Sequence, residues 1–170
     1  MKLEDAKDEF IESWGVLGSA WGINRTMSQI LALLLTSPDN LSVEEIMEKL
    51  GISRGNASMN LRALADWNLI KKSIKKGDRK EYFYAEKDIW KLARIVAAER
   101  RKRELDLILK VLEKLEHEDL GQSEEAKEFK ETMNNLSEVV GTTDTVLKTF
   151  INSDKNWLTK SVMKLINAKV

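Results

Sequence analysis

The stretch Leu41-Ser42-Val43-Glu44-Glu45-Ile46-Met47-Glu48-Lys49-Leu50-Gly51-Ile52-Ser53-Arg54-Gly55-Asn56-Ala57-Ser58-Met59-Asn60-Leu61-Arg62-Ala63-Leu64-Ala65-Asp66-Trp67 decides the fold. It reads as two helices joined by a tight turn. Ser42 is a natural N-cap, and Glu44 and Glu45 fall in the first turn, where carboxylates suit the helix dipole. Ile46 and Leu50 are four apart and share a face. Gly51 takes the turn, because a left-handed backbone is cheap for glycine. Ile52 plugs the turn into the core. Ser53 caps a second helix, which buries Ala57, Leu61 and Leu64 at spacings of four and three.

The opposite face of that second helix carries Arg54, Asn56, Ser58, Met59, Asn60 and Arg62, with no carboxylate before Asp66. A solvated helix face ordinarily mixes in acids. Small, amide and basic side chains can instead enter a major groove, donate to base edges and touch phosphates. A strand follows at Leu69–Ile74, with a partner at 81–85. Between them Lys75-Lys76-Gly77-Asp78-Arg79-Lys80 forms a Gly-Asp turn surrounded by cations. A basic-tipped hairpin directly after such a helix is a wing. Its Lys75, Lys76, Arg79 and Lys80 suit the backbone or the minor groove of double-stranded DNA. The candidate DNA-binding residues are these four with Ser53, Arg54, Asn56, Ser58, Met59, Asn60 and Arg62.

The formal net charge of zero conceals an asymmetry along the chain. Arg54–Lys80 holds eight cations against two anions, a net +6, whereas Glu104–Thr145 holds twelve acids against four lysines, a net −8. Such a split orients a protein on a polyanion. The 170 residues suit one domain with an appended helical region. No run approaches the roughly 20 apolar residues of a membrane span, and no signal-peptide pattern opens the chain. A cytoplasmic, nucleoid-associated location is therefore expected. Without cysteine there is no disulfide framework, thiolate nucleophile or cysteine zinc site. His117, set among acids, reads as an exposed residue at a helix end. With no phosphate loop, nucleophile elbow or paired catalytic set, no enzyme, metal or cofactor is expected.

The remaining segments are helical. Leu3, Ala6, Phe10, Trp14, Leu17 and Trp21 recur every three to four residues. After a break at Gly22-Ile23-Asn24, Thr26–Thr36 is apolar nearly all round and predicts the central buried helix. Ser37-Pro38-Asp39-Asn40 ends it. Asp88 caps a long helix to about Glu118, with a stripe of Ile89, Ala93, Val96, Leu107, Ile108, Val111, Leu112 and Leu115. Arg100-Arg101-Lys102-Arg103 interrupts the stripe and reads as a solvated face, with phosphate contacts as the alternative. Ser123 opens a further helix whose near-heptad stripe is Phe129, Met133, Leu136, Val140, Leu147 and Ile151, weakened at Gly141-Thr142-Thr143. A last helix from about Asp154 carries Trp157, Leu158, Val162, Leu165 and Ile166. These stripes need a partner surface, within the chain or, as favoured here, in a homodimer through the first and last helices. The expected architecture is mainly α with a small β-hairpin. It divides into an N-terminal helix (1–24), a winged helix-turn-helix domain (25–87) and a C-terminal helical dimerisation region (88–170).

This order of elements resembles the MarR superfamily of winged-helix regulators. Phe10-Ile11-Glu12-Ser13-Trp14-Gly15, Trp21-Gly22-Ile23-Asn24-Arg25 and Leu50–Arg62 resemble its GbsR-type branch in particular, over roughly Phe10–Tyr84. The resemblance implies a dimeric transcriptional regulator, often a repressor, reading an inverted-repeat operator. Members tied to osmoprotectant metabolism respond to choline-like or betaine-like compounds, and fold alone does not transfer that specificity. Trp14, Trp21, Trp67 and Trp90 could hold a quaternary ammonium effector by cation–π attraction, and they equally suit ordinary core and interface packing. A winged-helix protein-interaction module without specific DNA binding is the alternative function.

Overall fold

The computed structural model describes residues 1–20 and 22–153. They form six helices and three strands: α1 (Leu3–Ala20), α2 (Arg25–Thr36), β1 (Leu41–Ser42), α3 (Val43–Leu50), α4 (Arg54–Asp66), β2 (Ile70–Ile74), β3 (Glu81–Ala85), α5 (Ile89–Glu116) and α6 (Glu124–Ile151). The chain divides into two compact units, Met1–Leu92 and Ala93–Val170.

In the first unit α2 is the central helix, as its composition requires. Met27, Ser28 and Ile30 to Leu34 are all buried. Ile30, Leu34, Ile46, Leu61, Leu64 and Leu69 form the innermost layer. Each such aliphatic side chain contributes about 1.5–3 kcal/mol by leaving water. The end of α2 is closed from a distance in sequence. The Lys87 ammonium donates to the carbonyls of Leu34, Leu35 and Ser37 at 2.9, 2.8 and 3.0 Å. It thereby satisfies acceptors that a helix C-terminus leaves open, and its cation suits the negative end of the dipole. Burial lowers the Lys87 pKa.

The sheet has three strands rather than the expected two, in the order β1-β3-β2, all antiparallel. Leu41 and Ser42 pair with Phe83 and Tyr82, a bridge too short to read from periodicity. Ser42 also serves α3. It forms a full capping box, its hydroxyl accepting from the Glu45 N–H while the Glu45 carboxylate accepts from the Ser42 N–H at 2.7 Å. Those hydrogen bonds, the backbone one first, lower the Glu45 pKa.

The α1 stripe does not pack as an inward face within the described structure. Leu3, Phe10 and Leu17 are exposed, and Ile11, Gly15 and Gly18 are buried instead. The glycines let α1 lie close against α2. A Cβ on Gly18 would fall 1.9 Å from Ser28 Oγ, and one on Gly15 would fall 2.7 Å from Gln29 Cγ. Glu12 clamps the pair, accepting from Arg25 at 2.5 Å and from Gln29 at 2.8 Å. α1 thus belongs to the same compact unit as the winged helix, so the break near residue 24 is a turn between packed helices rather than a domain boundary. The second division falls at Leu92, inside α5, rather than at residue 88.

The second unit contains most of α5 and all of α6. Asp88 caps α5 as expected, accepting from the N–H groups of Trp90 and Lys91 at 3.0 and 3.2 Å. Of the α5 stripe, Leu112 is buried, whereas Ile89, Leu107 and Val111 are exposed. Arg101 departs from the solvated reading of the basic run. It donates to Asp144 of α6, lies 3.2 Å from Asp106, and Asp144 also meets Lys148 at 2.8 Å. Arg101, then Lys148, hold the buried Asp144 carboxyl below its ordinary range. α6 continues as one helix through Gly141-Thr142-Thr143, where its apolar stripe is weakened. The expected final helix from Asp154 lies outside the described residues.

Candidate nucleic-acid interface

Gly51, at φ 62°, turns the chain from α3 into α4 as the sequence demanded. Ser53 caps α4, its hydroxyl accepting from the Asn56 N–H at 3.3 Å. Ala57, Leu61 and Leu64 anchor the inner face. Arg54, Gly55, Ser58, Met59 and Arg62 lie exposed on the outer face.

One expectation about this face is corrected. Asn60 is only 3 % exposed. Its amide donates to the Asn56 backbone carbonyl at 2.9 Å and to Asn56 Oδ1 at 2.6 Å. A buried amide in this geometry cannot reach a base edge. Asn60 is a structural residue that fixes its neighbour, and Asn56 itself is half-buried, donating to Thr26 Oγ1 at 3.5 Å. An acid reaches the face from the neighbouring helix, where Glu44 of α3 accepts from Arg54. The Glu44 pKa is lowered, first by its own backbone N–H and then by Arg54.

The wing is built from its own side chains. Asp78 accepts from the Tyr82 hydroxyl at 2.7 Å and from the Lys80 N–H at 3.0 Å. These bonds hold the Asp78 carboxyl below its ordinary range and raise the Tyr82 phenol. Lys75 lies 4.0 Å above the Tyr82 ring, and Lys72 meets Glu81 at 3.1 Å. Gly77, at φ 86°, closes the loop where a side chain would be strained. Lys76, Arg79 and Lys80 are exposed, and among the described residues no side-chain hydrogen bond or ion pair engages them. Their charge is available to an outside anion. Ile74, at the end of β2, is exposed as well, an apolar side chain that the charge pattern concealed.

Three of the four candidate tryptophans lie among the described residues, on separate elements. Trp14 is half-buried, with its ring 5.4 Å from that of Phe10. Trp67 is the half-buried C-cap of α4, and Trp90 is exposed at the start of α5. Trp21 lies outside the described residues.

A helix-turn-helix with an outward α4 and a basic hairpin defines a winged-helix domain. Residues 21–81 match a model of the MarR family. The chain is similar to the HTH-type transcriptional repressor GbsR of Bacillus subtilis (strain 168), 34% identical over 89 residues, 52% of this chain and 49% of that one. It is similar also to the HTH-type transcriptional repressor OpcR of the same strain, 25% identical over 88 residues, 52% of this chain and 48% of that one. The chain spans about half the length of these curated relatives. A crystal structure described as a transcriptional regulator shares the fold, with a TM-score of 0.64 and 21% identity, covering 86% of this chain and 95% of that one. No described helix is long and apolar enough to cross a membrane.

Proposed function

We propose that the protein is a sequence-specific, dimeric regulator of transcription that represses its target genes and is released from DNA by a small molecule. One observation carries the reading. A single compact unit presents an α4 face of groove-sized side chains together with a wing whose Lys76, Arg79 and Lys80 side chains make no hydrogen bond or ion pair among the described residues. Base edges are read by the first and phosphates by the second. Repression is supported by the names of the relatives.

Dimerisation is supported by the exposed apolar residues of α1, where Leu3 is 70% exposed and Phe10 and Leu17 join it on one stripe. A second copy would cover that stripe and place two α4 helices on an inverted repeat. The partly open Phe10–Trp14 pair supports an organic-cation effector. Calorimetry with choline and betaine tests this part, and absence of heat with both removes the ammonium version.

The decisive experiment is selection of genomic fragments by the purified protein at near-physiological salt, read by sequencing. An enriched inverted repeat with half-sites about one helical turn apart is the expected result. Recovery of fragments without a shared sequence would leave only non-specific affinity and overturn the proposal.

A further inference from the structure

Two residues of the outer α4 face are unexplained by the fold. Gly55 sits within the first turn of a helix, where glycine is less stable than alanine. A Cβ there would meet nothing within 4 Å, so no internal contact requires glycine. Met59 follows four residues later, one helical turn along the same face. It is 60% exposed, the large apolar side chain that α4 leaves in water. The flanking exposed residues, Ser58 and Arg62, are polar. A helix that forgoes a methyl group at one position and protrudes a flexible thioether at the next turn is shaped for a surface outside the chain.

We infer that Met59 is a specificity-determining residue that reads the C5-methyl group of a thymine in the major groove, and that Gly55 gives α4 the clearance to seat it. This rests on the DNA-binding reading proposed above. The chemistry favours thymine among the groove edges. Cytosine, adenine and guanine present donors and acceptors there, and the thymine methyl is the apolar feature of the groove. A methionine side chain offers no N–H or O–H donor, and its soft, unbranched chain adapts to an apolar contact. Asn60 and Asn56 are held inward, and Arg54 is engaged by Glu44. That leaves Met59 as the long uncharged side chain of the face. Arg62, one turn further along, is positioned for phosphate or guanine. Each half-site should therefore carry an A·T pair one helical turn of protein away from the Arg62 contact.

The test uses the full-length protein and the operator recovered by fragment selection. Each thymine of one half-site is replaced in turn by uracil, which removes only the methyl group, and affinity is read by fluorescence anisotropy. Wild type should lose about fourfold at one position, the factor expected for burying roughly one methyl group. Met59→Ala should bind the unmodified operator about that much more weakly and be indifferent to uracil at that same position. Gly55→Ala should raise the thermal midpoint of the protein while weakening binding to every duplex, a combination that a purely structural glycine would not give. Uracil sensitivity unchanged in Met59→Ala, or absent throughout in wild type that still binds the operator, would overturn the inference and leave the DNA-binding reading intact. Wild type that prefers no duplex over random DNA would overturn both.

Discussion

Gly18 shows how much one missing methyl group decides. Its hydrogen faces Ser28 Oγ across the α1–α2 contact, where a Cβ would lie at 1.9 Å. Ser28 is buried and its position is set by the core below it. Gly18→Ala must therefore push the two helices apart, and the loss should be about 1–3 kcal/mol, the usual range for overpacking. Urea unfolding checks this: the midpoint should fall with the slope unchanged. An unshifted midpoint would mean that the helices separate freely. Ser42, Gly51 and Ser53 were legible in the sequence because a cap or a turn depends on a few neighbouring residues. Gly15, Gly18 and Asn60 were not. Periodicity ranks apolar side chains and treats a glycine as a gap, yet here the gap is the packed face and Phe10 and Leu17 are left outside. Asn60 looked like part of a polar face because its identity is polar. Its burial became visible only with the rotation of α4 against α2 and the Asn56 carbonyl in place to receive its amide.

At the scale of elements, the wing and the α5–α6 hairpin are each fastened by one carboxylate. Asp78 takes its two bonds within the wing, so Tyr82→Phe should loosen the loop without unfolding the sheet. The expected outcome is faster amide exchange at residues 76–80, a nearly unchanged thermal midpoint, and operator binding weakened by less than about tenfold. In that variant the Asp78 pKa, followed by NMR titration, should rise toward the ordinary aspartate value, because the Tyr82 hydroxyl is the main group lowering it. Asp144 plays the corresponding part in the helical hairpin, where its side chain is 8% exposed and Arg101 its main partner. Its folded pKa lies below its unfolded one. The contribution is therefore complete above the ordinary aspartate range and is lost as pH falls through the lowered folded value. Arg101→Met should remove about 1–3 kcal/mol and move the acid unfolding of the hairpin, followed by circular dichroism, to higher pH. An acid transition at the wild-type pH would show that Arg101 does not hold Asp144 in solution. The hairpin's helices were legible from their stripes and caps. The Arg101–Asp144 bridge was not, because 43 residues separate its ends and the surrounding arginines suggested a solvated run.

Over the whole molecule, a net charge of zero would suggest indifference to a polyanion, and the distribution of charge contradicts that. The cations are concentrated in Arg54–Lys80, the segment that forms α4 and the wing. Within that segment they are not equivalent. Lys72 is committed to Glu81, Arg54 to Glu44, and Lys75 lies over Tyr82, whereas the Lys76 and Arg79 side chains make no hydrogen bond or ion pair among the described residues. Only a cation that neutralises a phosphate releases a counterion, and each such contact adds about 0.9 to the slope of log K against log salt on B-form DNA. Lys76→Ala with Arg79→Ala should therefore flatten that slope by about 1.8 if both meet phosphates. The loss should be the same on operator and on random duplex, because phosphates carry no sequence. Lys72→Ala should change the slope much less, since its charge is already neutralised by Glu81. A salt titration of the three proteins on two duplexes measures all of this at once. If the double variant keeps the wild-type slope, the wing does not lie on the phosphate backbone. A slope that flattens on the operator alone would instead place Lys76 or Arg79 at a base edge and move part of the sequence reading from α4 to the wing.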